Sequence, residues 1–184
     1  MKTVFISGSM RIKKLDVKVL ERLDNIISLG HKVIVGDADG VDSSIQHYFK
    51  SKEYLNAVVY CTGDNPRNNL ASWPTSKIYS KYEPGTRAYF TEKDLKMADD
   101  CDLGLMVWDT KSTGTLSNAI ELLSQKKVSL VFINKEKIFH KVKTPEDLEQ
   151  LIKFMSPSAY EKADKKLSLQ KKVATLKHEQ GALF

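Results

Sequence analysis

Cysteine is scarce in this chain, with only Cys61 and Cys101 among 184 residues, and no run of eighteen apolar residues occurs. Two cysteines are too few for a disulfide scaffold, and their separation lacks the close spacing of a zinc site. Each flanks an apolar run, which reads as a buried free thiol. The missing long apolar run excludes a membrane-spanning helix. The opening MKTVFISGSM has one lysine, a short apolar stretch and then a polar turn, unlike a signal peptide. The expectation is a soluble, cytoplasmic protein without membrane contact. Histidine is sparse too: His31, His47, His140 and His178 stand singly. None has a second ligand at metal spacing, and no metal site is expected.

What is present is the composition of one globular domain, 41% hydrophobic and 28% charged, with a formal net charge of +6. That charge suits an anionic ligand or nucleic acid, but the lysines are scattered and many fall on helix faces, so nucleic acid is the lesser expectation. Residues 3–7 are apolar and β-branched and stop at Gly8, the pattern of a buried parallel strand ending in a tight turn. A helix follows, with Leu15, Val19, Leu20, Leu23, Ile26 and Ile27 on one face and Gly30 at its end. The unit repeats. Strands are expected at 32–35, 57–60, 103–108 and 128–133, with helices through about 52, over 88–100 and over 115–125. Such alternation implies parallel βαβ crossovers. The expected fold is α/β: a Rossmann-like three-layer domain with a mostly parallel sheet of about five strands, plus C-terminal helices. Residues 1–134 read as the nucleotide-binding domain, 62–87 as an insertion or lid, and 135–184 as a helical extension. In that extension Thr144-Pro145-Glu146-Asp147 reads as a helix start, and Ser158 to Glu161 as a capping box. The stripe of Ala163, Leu167, Val173 and Leu176 leaves open whether the last helix docks or projects.

Open parallel sheets bind ligands beyond the carboxyl ends of their strands, which directs attention to three loops. The first, Ser7-Gly8-Ser9-Met10-Arg11, combines a glycine that permits close approach, two hydroxyls and an arginine able to hold phosphate. A plain strand-to-helix turn is the other reading. The second, with Gly36, Asp37, Asp39, Gly40 and Asp42, lies at a helix start, but its three carboxylates suit ribose hydroxyls or a base edge better than bare phosphate. Beside a phosphate ligand it could recruit magnesium; alternatively Asp39 or Asp42 only caps the helix. The third, Trp108-Asp109-Thr110-Lys111-Ser112-Thr113-Gly114-Thr115, packs hydroxyls, a lysine and a glycine against a helix start. It has the physics of a phosphate loop without the GxxxxGK[ST] spacing. Between the second and third loops, Arg67, Asn68, Trp73, Tyr79, Tyr82 and Arg87 offer aromatic faces and guanidinium groups, as a lid or as an ordered surface loop.

Together the three loops resemble the SLOG superfamily and, within it, the YspA-like branch: a strand ending in GS, a GxxxGxD turn, and a WD-x-x-S-x-GT loop, here Ser7 to Ser9, Gly36 to Asp42 and Trp108 to Thr115. The resemblance covers about residues 3–133. It implies a Rossmann-like domain that binds a nucleotide or nucleotide derivative, with relatives that include LONELY GUY phosphoribohydrolases and the DNA-processing protein DprA, and it implies a homo-oligomer. Alignment to the hydrolase pattern puts Lys93 where an arginine is expected and Asn118 where a glutamate is expected. N-glycosidic cleavage needs a carboxylate, so an enzyme of this kind would have to use Glu121, one turn beyond Asn118, or an aspartate of the second loop. Three readings follow: a nucleotide-binding or sensing domain, a nucleotide N-glycosidase, and a nucleic-acid-binding protein.

Overall fold

The computed structural model describes residues 1–182. The chain runs β1 (Thr3–Gly8), α1 (Val17–Ser28), β2 (Lys32–Gly36), α2 (Val41–Ser51), β3 (Ala57–Thr62), β4 (Thr75–Ile78), α3 (Arg87–Asp100), β5 (Leu103–Trp108), α4 (Thr113–Ser124), β6 (Val128–Ile133), β7 (Ile138–Val142), α5 (Pro145–Ile152), α6 (Pro157–Leu167) and α7 (Leu169–Gly181). The strands form one sheet in the order β4-β3-β2-β1-β5-β6-β7, parallel except for β6 against β7.

Alternation along the strands sends side chains to two separate cores. Val4, Ile6, Val33, Val35, Leu105 and Val107 pack with Val19, Leu23, Ile45 and Phe49 beneath α1 and α2. Phe5, Ile34, Met106 and Trp108 pack with Met97 of α3 and Leu116, Ala119 and Ile120 of α4 on the other face. The result is the expected three-layer α/β fold, but with seven strands among the described residues rather than five. Both added strands are edges. β4 arises inside the segment read as an insertion, as four residues of which none is buried. β7 lies in the segment read as wholly helical, with only Val142 buried. Edge strands have no continuous apolar run to betray them.

The C-terminal helices dock. Thr144 and Asp147 close a reciprocal capping box at the start of α5. The cap of α6 is Ser156, with Pro157 in the first turn, instead of the expected Ser158 to Glu161 box. Ser168, at φ 53° and ψ 54°, breaks the expected last helix into α6 and α7. That left-handed turn lets Ala159, Ala163 and Leu167 of α6 and Leu169 and Val173 of α7 bury in the core shared with α4 and α5. Cys61 and Cys101 are buried free thiols, and no helix among the described residues is long and apolar enough to cross a membrane.

Candidate functional site

The sheet order reverses between β1 and β5: from β1 the chain first builds outward through β2, β3 and β4, then returns to add β5 on the other side. At such a switch point the loops after adjacent strands diverge and leave a crevice. Here the register pairs Ser7 with Met106 and Gly8 with Val107, bringing the first and third loops together. Gly8 is required by this packing, because a Cβ would lie 2.4 Å from the Val107 carbonyl oxygen and 2.7 Å from both Val41 methyls.

Hydroxyls knit the two loops. The buried Ser9 Oγ accepts from Asp109 N (3.0 Å) and lies 3.5 Å from Thr115 Oγ1. Thr115 Oγ1 donates to Ser112 Oγ (3.1 Å), and Ser112 caps α4 through Thr115 N. Asn118 Nδ2 donates to Ser7 Oγ (3.1 Å), and Arg87 Nη1 donates to Thr113 Oγ1 (2.6 Å). The helix therefore begins at Thr113 rather than Thr115. Asp109 Oδ1 accepts from Lys111 N and Ser112 N, a side-chain turn that fixes the loop. Trp108 is fully buried, and its indole N–H is held by the Ser112 carbonyl at 3.0 Å, so its ring belongs to the core.

At the start of α4, Gly114 is exposed, and a Cβ there would meet nothing within 4 Å. Glycine near a helix start with ordinary backbone angles and open space is not demanded by the protein's own packing. Its absent side chain leaves the first helical N–H groups approachable from the crevice.

The second loop faces the same crevice with a charge cluster. Asp37 is held in a fork by Arg67, with Nη2 to Oδ1 at 2.7 Å and Nε to Oδ2 at 3.1 Å, and it also accepts from Arg67 N and from Lys93 Nζ at 3.4 Å. Burial works against its charge, but the Arg67 and Lys93 cations outweigh that and hold the carboxyl below the usual range. Lys93 is only 4% exposed. Burial disfavours its ammonium, yet Asp94, Asp42 and Asp37 together raise its pKa. Asp42 has the opposite balance: burial, reinforced by Asp94, pushes its carboxyl up to about 7 despite Lys93. Its Oδ2 accepts only a long bond from Ala38 N (3.4 Å), and its buried Oδ1 has no partner among the described residues. Gly36 makes this cluster possible, since a Cβ would stand 2.3 Å from Asp42 Oδ2 and 2.8 Å from Lys93 Nζ. Gly40, at φ 82°, passes against the Met10 backbone, where a Cβ would be 2.3 Å from its carbonyl oxygen.

These groups enclose a cleft of about 380 Å³. Of the residues expected from the sequence, Ser7, Gly8, Asp42, Arg87, Ser112, Gly114, Thr115, Asn118 and Glu121 line it. Ser9, Gly36, Asp37 and Gly40 are not part of its lining, while Arg11, Asp109 and Thr113 line a neighbouring groove that shares Ser112 and Gly114 with it. Glu121 accepts from Gln125 Nε2 at 2.8 Å. Sequence reasoning did not single out Phe90, Thr91 or Asp94, which also line the cleft. Phe90 carries the Arg67 guanidinium 4.5 Å above its ring. The segment 62–87 divides in two. Its first half is anchored, with Gln46 bonding the Gly36 and Asn68 carbonyls and Leu70 N, and with the Trp73 indole on Tyr54 O. Tyr79 and Tyr82 are exposed and do not line the cleft. Lys93 and Arg67 occupy the side of Asp37 where a cation would sit, and among the described residues no three His, Cys, Asp or Glu are placed to hold a metal ion.

Comparison with known proteins finds no matching family model and no matching curated protein. Among solved structures the chain is similar to DNA processing protein A from Helicobacter pylori, a structure described for its single-stranded DNA binding mode. The TM-score is 0.55 at 18% identity, over 71% of this chain and 64% of that one. The match thus spans less than two thirds of that protein's length. It shows that the fold is of the DprA-like, Rossmann-like type.

Proposed function

We propose that the cleft binds a nucleotide or nucleotide-derived ligand, as a binding or sensing domain of the SLOG kind and of its YspA-like branch. Phosphate would rest on the start of α4, at Ser112 to Thr115, with the Ser7-Gly8-Ser9 turn and Arg87 beside it. Asp42 would take sugar hydroxyls, because Asp37 is already held by Arg67 and Lys93. The observation that carries this reading is the open helix start at Gly114, which lines one cleft together with Asp42, Arg87 and Phe90. The test is thermal unfolding with nucleoside monophosphates and NAD. A rise in melting temperature supports the reading, and a panel without any shift counts against it.

Two observations favour other readings. A carboxyl near pH 7 suits general acid–base work, which favours N-glycosidic cleavage. Base release from nucleoside monophosphates that drops in Glu121→Gln or Asp42→Asn would support that enzyme, and release equal to wild type in both would remove it. The similarity to a single-stranded DNA-binding structure favours nucleic acid. That reading requires a gel shift that weakens steeply with salt.

A further inference from the structure

Next to the cleft, at the α4 start, lies a second groove of about 520 Å³. The two cavities share Met10, Ser112 and Gly114 along their walls, so they meet at the open glycine. Four cations converge on the second groove from three parts of the chain: Arg11 after β1, Lys111 after β5, and Lys162 and Lys166 along one face of α6. None of the four forms an ion pair among the described residues, although α6 carries such a pair elsewhere, between Lys165 and Glu161. Among the described residues the one acidic residue on its wall, Asp109, has Oδ1 engaged by two backbone N–H groups. The α6 start also opens here, with Ser158 on the wall and the Ser156 hydroxyl taken by Ala159 N. Two helix starts and four cations outside any ion pair among the described residues therefore face one space, an arrangement that attracts an anion with several charges.

We propose that the ligand carries a chain of two or more phosphates, which crosses Gly114 from the cleft and ends among Arg11, Lys111, Lys162 and Lys166. The proposal rests on the nucleotide reading of the cleft and extends it to an oligophosphorylated nucleotide. The nucleoside end stays by Asp42 and Phe90, and the terminal phosphates reach the groove, where the arginine binds in a fork and the lysines act as point charges. Among the described residues no aromatic side chain lines the groove. Single-stranded nucleic acid needs aromatic faces for its bases, whereas a phosphate chain does not. The docked extension thus completes the site: α6 supplies two of the four cations.

The test is isothermal titration of the full chain with AMP, ATP, GMP and GTP, with EDTA present so that the phosphates carry no metal. The proposal expects each triphosphate to bind at least tenfold tighter than its monophosphate. Lys162→Glu with Lys166→Glu should narrow that ratio to within twofold, and the Lys→Gln pair should give an intermediate ratio. Both lysines are exposed, and an unchanged melting temperature checks that the variants fold. Equal binding of mono- and triphosphates overturns the proposal, as does a ratio unchanged by charge reversal. If none of the four nucleotides binds, the reading of the cleft itself fails. If an oligothymidylate binds in a Lys162- and Lys166-dependent way while ATP gains nothing over AMP, the groove serves nucleic acid and the proposal is wrong.

Discussion

Replacing Asp42 by asparagine should stabilise the ligand-free protein at alkaline pH while weakening its ligand binding. Burial is the main cause of the rise in its carboxyl from 3.8 to about 7, and Asp94 adds repulsion. A raised carboxyl pKa means that the folded state holds the proton more tightly than the unfolded chain. Below about pH 4 both states are protonated and the group is neutral in the balance. Between about pH 4 and pH 7 the unfolded chain ionises first and stability is lost; above pH 7 the full loss is present. Three units at 1.36 kcal/mol each give about 4 kcal/mol. That figure already includes the attraction of Lys93 and the long bond from Ala38; a buried asparagine amide without a partner gives back about 1–2 kcal/mol of it, leaving a gain of about 2–3 kcal/mol at pH 8. For a chain of this length the gain raises the melting temperature by about 5–10 °C. Lys93 keeps Asp37 and Asp94 as partners, so no cation is orphaned. The assay is urea unfolding of both proteins at pH 4.5 and pH 8. Asp94, whose pKa is also raised by burial, titrates in both proteins and is coupled to Asp42, so the difference reports the two carboxyls together. A variant less stable than wild type at pH 8, or a difference independent of pH, refutes the reasoning.

Two further substitutions probe the same cluster. Gly36→Ala drives a Cβ into the Asp42 carboxylate and the Lys93 amine, and should cost about 1–3 kcal/mol in denaturant unfolding; a neutral result would show that the cluster yields freely. Arg67→Ala leaves Asp37, 3% exposed in its side chain, with Lys93 as its remaining cation. Because the Arg67 side chain is itself 40% exposed, the loss should be about 2 kcal/mol near pH 7, below the full cost of breaking a buried pair. Asp37 is depressed in the fold, so its stabilisation is present above about pH 4 and lost as pH falls further. The deficit of Arg67→Ala should therefore shrink in acid, and a deficit that grows in acid contradicts the assignment.

The five inner strands were readable because both faces of each are buried, which produces continuous apolar runs such as Thr3 to Ser7. β4 and β7 escaped because edge strands bury little, and the break at Ser168 escaped because neither glycine nor proline marks it. The same alternation that identifies β5 also puts Trp108 in step with Met106 and Phe5 in one core, so its place beneath the loop could have been read from period two alone. The hydroxyl-rich loops were visible as motifs. The charge cluster was less so: Lys93, Asp94 and Arg67 have the local look of solvated helix and loop residues, and only the crossover of β2 and α3 brings them to Asp37 and Asp42. Alignment to the hydrolase pattern did single out Lys93. Gln46, buried at the centre of α2 with bonds to Gly36, Asn68 and Leu70, gave no signal beyond a polar residue within an apolar stripe.

The claim that the start of α4 seats the ligand's phosphate is tested most directly by Gly114→Val. A Cβ at Gly114 would meet no atom of the described residues within 4 Å, so the variant should fold with an unchanged or slightly higher melting temperature. Its Cβ and methyls would stand where the phosphate must approach the helix N–H groups. Measured side by side with a nucleoside monophosphate that stabilises wild type, Gly114→Val should show no ligand-induced rise in melting temperature. A rise equal to that of wild type would contradict the account and move the phosphate away from this helix.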